Sequence, residues 1–195
     1  MKTRLRQQLD FLLEIDKLKS VYRRSYLLDQ SRTENSAEHS WHVSVLAMVL
    51  AEYSQDSLDT FRVLKMMLVH DIVEIDAGDT FLYDEQGILE KAELEQQAAQ
   101  RLFSLLPDDQ AQEYRDLWQE FEERQTAEAK FARGLDRLMP LLHNYYTKGS
   151  TWREHGVKSH QVLEQNQIIQ AASAELWEFA RYLINDAVER GYLQP

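Results

Sequence analysis

The stretch Asn35-Ser36-Ala37-Glu38-His39-Ser40-Trp41-His42-Val43-Ser44-Val45-Leu46-Ala47-Met48-Val49-Leu50 decides how the chain folds. Asn35 carries a short polar side chain that can accept from the backbone at a helix start. Glu38, three positions on, can reach back to the Asn35 N–H. The residues that follow predict a helix over 36–53 with apolar side chains on several faces, the pattern of a buried, central helix. The stretch 58–75 has the same character and predicts a second. Around these two, Leu5, Leu9, Leu12 and Leu13 mark a first helix. A charged helix over about 88–106 is expected to open at Gly87 and end at Pro107. Further helices are expected over 113–124 and 126–146, the latter kinked or interrupted by Pro140. Ala172, Leu176, Phe179, Leu183 and Ala187 recur at three-to-four spacing in a last helix over about 160–190, stopped by Gly191. Residues 18–33 read as a turn and an irregular connection, and 147–159 as a loop containing Gly149 and Gly156.

No strand alternation, internal repeat or linker interrupts this pattern. The expected architecture is all-α, a bundle of roughly six to eight helices in one domain spanning 1–195. The chain has 195 residues, enough for one core without disulfides or a structural metal. Apolar residues make up 44% and charged residues 28%, with 6 Gly and 3 Pro; so few breakers favour helices over a many-turned sandwich. The net charge of −11 disfavours nucleic-acid polymers and anionic membranes, which need clustered Lys and Arg. A small phosphorylated substrate, needing only one local Arg or a metal, stays open. The absence of Cys removes thiolate catalysis and Cys-ligated zinc. With no apolar leader and no apolar run long enough to span a bilayer, a soluble, cytoplasmic protein is expected.

Chemistry is carried by histidines and their acidic neighbours. His70-Asp71 closes an apolar run. Adjacent side chains of a straight helix cannot both face the core, so the two can bind one ion only at a helix end or a local distortion. His39 opens the preceding buried helix. Buried His and Asp without partners cost about 1–3 kcal/mol each, and a metal would satisfy several together. Asp136 is an acid on an apolar stripe with Leu135, Leu138 and Met139. Locally, His70 could equally be a core histidine beside a solvated Asp71, and Asp136 could pair with Arg137 on a wet edge. His42 reads as a core or supporting histidine, His143 as an outside candidate, and His155 and His160 as exposed.

In order along the chain, Arg32-Thr33-Glu34-Asn35-Ser36-Ala37-Glu38-His39-Ser40, His70-Asp71-Ile72-Val73-Glu74, Gly78-Asp79 and Asp136 in Leu135-Asp136-Arg137-Leu138 resemble the HD-domain phosphohydrolases. The resemblance is nearest to the branch with the bacterial 5′-deoxynucleotidases and covers about 18–146. It implies the all-α HD fold. It also implies His39, His70, Asp71 and Asp136 as ligands of one divalent metal ion, Mn, Co, Ni, Zn or Fe, since imidazole and carboxylate suit all of these. Glu74 would serve in general acid–base catalysis. Asp79 would line the substrate pocket with Thr80, binding a sugar hydroxyl or positioning the attacking water in catalysis, and Arg23 would hold the substrate phosphate. The branch has a Trp just after that Arg; here Arg24, Ser25 and Tyr26 follow, and Tyr26 is the aromatic offered in its place. The implied activity is hydrolysis of (deoxy)nucleoside 5′-monophosphates to nucleoside and phosphate. The alternatives are phosphodiester or nucleoside triphosphate hydrolysis on the same scaffold, or a non-catalytic metal- or nucleotide-binding regulatory module. Relatives also imply a homodimer, for which the 88–106 helix and the C-terminal helix are the expected interface.

Overall fold

Thr3 accepts from the Arg6 N–H and starts α1 (Arg4–Glu14), and a 3-10 turn (Ile15–Ser20) carries the chain off it. The computed structural model describes residues 3–83 and 85–195. The expected irregular connection contains a hairpin instead. Strand β1 (Tyr22–Tyr26) pairs antiparallel with β2 (Thr33–Asn35), Tyr22 opposite Asn35 and Tyr26 opposite Thr33. Its turn is held by Asp29, which accepts from both the backbone and the hydroxyl of Ser31. Strands this short leave no legible alternation.

The hairpin delivers Asn35 directly to α2 (Ser36–Leu50). Asn35 Oδ1 accepts from Glu38 N at 2.9 Å, and Glu38 Oε2 accepts from Asn35 N at 3.3 Å, so the reciprocal cap forms as expected. Helix α3 (Thr60–Val69), capped by Asp59, is shorter than predicted. The chain leaves it at His70, turns through Asp71-Ile72-Val73, and resumes as α4 (Glu74–Ala77) until Gly78, whose φ of 76° ends it.

Helix α5 (Glu85–Phe103) begins ahead of Gly87 and ends before Pro107. Pro107 instead precedes α6 (Asp108–Glu123), where its missing N–H costs nothing. Helix α7 (Ala127–Tyr146) runs on through Pro140 rather than breaking there. A short α8 (Ser150–Glu154) occupies the expected 147–159 loop. The predicted last helix is three: α9 (Ser159–Asn166), α10 (Ile169–Ala172) and α11 (Ala174–Glu189). Ser173, extended at φ −162° and ψ 124°, breaks the run, and its Oγ caps α11 by accepting from Leu176 N. The break lets α10 press against α7, where a Cβ on Gly134 would meet the Cβ of Ala172 at 2.4 Å.

Two apolar clusters result. Val63, Met66 and Met67 of α3 join Leu135, Leu138, Trp152, Ile169 and Ile184 in one. Val69, Ile72 and Val73 join Phe11, Leu102, Phe103 and Trp118 in the other. The His70-Asp71 break lies where α3 passes from the first cluster to the second. The exposed large apolar side chains include Leu5, Leu12 and Leu13 on α1, Trp41, Met48 and Val49 on α2, and Phe61 and Leu68 on α3, with fewer on α5 and α11. Among the described residues no helix is long and apolar enough to cross a membrane.

Candidate metal centre

His39, in the first turn of α2, is wholly buried, and its Nε2 lies 3.0 Å from Asp136 Oδ1 of α7. His70 Nε2 lies 3.1 Å from Asp71 Oδ1 and 3.6 Å from the same Asp136 oxygen. Ligand atoms of His39, His70 and Asp136 all fall within 4.8 Å of one another. Asp71 joins them through His70, because the helix break turns both neighbours toward one point.

The donor chemistry asks for a cation. His70 Nδ1 lies 2.9 Å from the Met67 carbonyl, which can only accept, so that nitrogen carries the proton. The lone pair of His70 Nε2 therefore points into the cluster, where that atom is buried without a hydrogen-bond partner. His39 differs: its Nδ1, 3.3 Å from Glu34 Oε2, is buried without a hydrogen-bond partner, and its Nε2 lies 3.0 Å from the Asp136 carboxylate oxygen. Lone pairs facing lone pairs in a buried site need a proton or a metal ion between them. Two imidazoles with two carboxylates fit a divalent transition ion.

Electrostatics point the same way. Burial and Arg23 disfavour the His39 imidazolium, yet Asp136, Glu34 and Asp71 outweigh them and its pKa is raised. His70 is raised too, with burial overcome by Asp71 and Asp136. Asp136 is held well below the usual carboxylate range: burial opposes this, but His39, His70 and Arg133 outweigh it. Asp71 is also lowered, against burial, by His70 and Arg23.

Beside this cluster Arg23 projects from β1. Its Nη1 lies 3.0 Å from Asp71 Oδ2 and 3.8 Å from Asp79 Oδ1, and its Nε 3.7 Å from Glu34 Oε2. Glu74 is buried; the Ser36 hydroxyl donates to its Oε2 at 2.7 Å, and Lys91 Nζ lies 3.8 Å from its Oε1. Burial first, then the Asp71 charge, pushes the Glu74 carboxyl well up. Asp79 is raised as well, by burial and, against Arg23, by Asp71. A cavity of about 440 Å³ opens from here, lined by Arg23, Asp71, Glu74, Asp79, Thr80 and Asp136. That volume suits a small organic ligand.

Of the residues expected from sequence, all but Tyr26 meet at this cavity or its metal end. Tyr26 lines a smaller hollow that adjoins the main cavity across Arg23, Arg24 and Asp79, and its hydroxyl donates to Glu154 at 3.3 Å. The aromatic lining of the main cavity comes instead from Phe81, Tyr83 and buried Trp152. Sequence reasoning did not single out Glu34 as the partner of His39, although it stands inside the motif. It also did not find Ser36 or Lys91, which attend Glu74. Glu34, His42 and His143 form a second trio with ligand atoms within 4.8 Å, behind the His39 ring. His155 and His160 are exposed, as expected.

A family model described as HD domain matches residues 15–177. The chain belongs to the HD domain family. A solved protein from Magnetospirillum magnetotacticum MS-1, described as a predicted metal-dependent phosphohydrolase, is 54% identical. It superposes with a TM-score of 0.94 over 98% of this chain and 99% of its own. The 5′-deoxynucleotidase HDDC2 of Homo sapiens is 34% identical over 138 residues, 70% of this chain and 66% of the relative. The 5′-deoxynucleotidase ECA3034 of Pectobacterium atrosepticum is 32% identical over 118 residues, 56% of this chain and 59% of the relative. The chain thus spans just under two thirds of the length of these curated relatives. The HD-domain match agrees with the helical fold and with a His/Asp cluster able to hold a metal ion.

Proposed function

We propose that this HD-domain protein is a metal-dependent phosphomonoesterase that hydrolyses (deoxy)nucleoside 5′-monophosphates to nucleoside and phosphate. The observation that carries the reading is the meeting of His39, His70 and Asp136 at one buried point, with Asp71 3.1 Å from His70 Nε2 and Arg23 and Glu74 on the same cavity wall. The similarity to curated 5′-deoxynucleotidases supports the substrate class.

His39, His70, Asp71 and Asp136 would hold one divalent ion, which supplies Lewis-acid polarisation of the phosphoryl group and lowers the pKa of water. Arg23 presents a planar pair of donors to the phosphate oxygens. Its contacts to Asp71, Asp79 and Glu34 fix its orientation beforehand. Glu74 is the proton carrier. Ser36 holds Oε2 at 2.7 Å and Lys91 stands 3.8 Å from Oε1, which fixes the carboxyl while it takes the proton of the attacking water. Water adds to phosphorus, the P–O5′ bond breaks, and the same carboxyl returns the proton to the departing 5′-oxygen. A carboxyl with raised proton affinity is suited to both halves of that exchange near neutral pH. Asp79 and Thr80, beside Gly78, line the cavity within reach of Arg23 and are assigned to the sugar.

The test is phosphate release by chelator-stripped protein reloaded with Mn, Co, Ni, Zn or Mg, on deoxy- and ribonucleoside monophosphates. Metal-dependent release is expected. It should fall by about 10²–10⁴ in Glu74→Gln, with the metal still bound. A metal-loaded protein silent on every monophosphate would overturn the reading.

A further inference from the structure

The cavity carries more positive charge than hydrolysis of a monophosphate uses. Arg124 follows the C-terminus of α6, and Arg133 and Arg137 stand one turn apart on α7; all three line the cavity. Their counter-charges are few. Glu122 lies 3.9 Å from Arg124 and 3.8 Å from Arg133. Arg133 Nη1 also lies 3.3 Å from Asp136 Oδ2, but Asp136 is committed to the metal end. Arg137 has no hydrogen bond or ion pair among the described residues. The Nε atoms of Arg124 and Arg133 are buried without hydrogen-bond partners.

Three guanidiniums sharing one uncommitted carboxylate, in a recess partly closed to water, need an anion to complete them. Arg133 touches both Asp136 and Glu122, so it joins this recess to the metal centre within the reach of one small ligand. Guanidinium forks match the oxygens of a phosphate.

We infer that Arg124, Arg133 and Arg137 form a subsite for a second phosphate, so that the preferred substrate is a nucleotide carrying two phosphates. The inference rests on the hydrolase reading above and names its substrate class. Arg23 keeps the phosphate that is cleaved, and the triad holds the one that is not. The second phosphate can be a 3′-phosphate, with the P–O5′ bond breaking as above, or the α-phosphate of a 5′-diphosphate, where water adds to the β-phosphorus, its bond to the bridging oxygen breaks and the returned proton leaves with the nucleoside 5′-monophosphate; the test separates them.

The experiment compares kcat/KM of the Mn-loaded protein on a deoxynucleoside 5′-monophosphate, its 3′,5′-bisphosphate and its 5′-diphosphate, with products identified by chromatography. One of the two doubly phosphorylated substrates should exceed the monophosphate by about tenfold or more, the size of one charge-assisted hydrogen bond. Which one it is identifies the source of the second phosphate. In Arg137→Gln that ratio should fall toward one, with the change in KM rather than kcat. Arg124→Gln, past the end of its helix, gives the same readout should Arg137→Gln fail to fold. Pyrophosphate should inhibit the wild type more strongly than phosphate, and the variants should lose that advantage. Monophosphate turnover with no preference, or a preference untouched in both variants, overturns the subsite and leaves the hydrolase reading standing. No turnover of any substrate, with phosphate and pyrophosphate equally weak, overturns both.

Discussion

Replacing Glu34 with Gln removes one charge and almost no volume from behind the metal cluster. Glu34 Oε2 stands 3.3 Å from His39 Nδ1 and 3.7 Å from Arg23 Nε, and Glu34 is only 2% exposed. At that separation and an effective dielectric near 20, the charge interaction with an imidazolium or metal-loaded imidazole is about 5 kcal/mol. That is an upper bound, because the Gln amide oxygen can still accept from Nδ1–H and the Arg23 charge is freed of one partner. What remains is the weaker basicity and looser aim of the His39 ring. For carboxylates behind metal-bound histidines this costs about 10–100-fold in affinity, or about 1.4–2.7 kcal/mol. The assay is titration of Mn or Co into stripped protein against a competing fluorescent chelator at pH 7.5. Thermal unfolding of the metal-free proteins in parallel confirms that the fold is intact. The dissociation constant should rise 10–100-fold in Glu34→Gln. A constant within twofold of wild type, in a protein that melts normally, would refute the role given to Glu34 and weaken that of His39 as a ligand.

Two further outcomes follow from the same structure. His39 and His70 have raised pKa values, so each imidazolium stabilises the metal-free fold fully below about pH 6.5, and that stability is lost as pH rises through the folded pKa. A metal ion competes with those protons, so the metal-induced rise in melting temperature should be small at pH 5.5 and grow to pH 8; an equal rise at both would contradict the ligand assignment. Gly149 stands at φ 74°, and an added Cβ would meet the Tyr192 carbonyl oxygen at 1.9 Å. Backbone strain and overpacking together predict that Gly149→Ala loses about 2–4 kcal/mol in urea unfolding, and a loss under about 0.5 kcal/mol would show that the C-terminal segment does not pack there as described.

Legibility followed the range of each interaction. The Asn35–Glu38 cap spans three residues, and it was readable. The end of α3 at His70-Asp71 was not: the apolar spacing carried the expected helix through to 75, and a break there followed only on the condition that both side chains bind one ion. The 160–190 segment was misread as one helix because its apolar spacing carries through Ser173, whereas the chain breaks there and α10 packs against α7, where Gly134 leaves room for Ala172. Pro140 was expected to disturb α7. The helix runs on through it and gives up only the bond that the Asp136 carbonyl would accept from an N–H at position 140.

Read alone, the chain indicates its helical class and central helices and, through motif resemblance, singles out His39, His70, Asp71, Glu74 and Asp136 as site candidates. Residue type, capping and periodicity act within about a turn of chain and are written locally. The tertiary structure alone decided that His39 meets Asp136 across 97 positions, that Glu34 stands behind His39, and that Arg124, Arg133 and Arg137 share a cavity with Glu74. Those meetings depend on where helices cross, and crossing is set by close packing of side chains summed over the whole core.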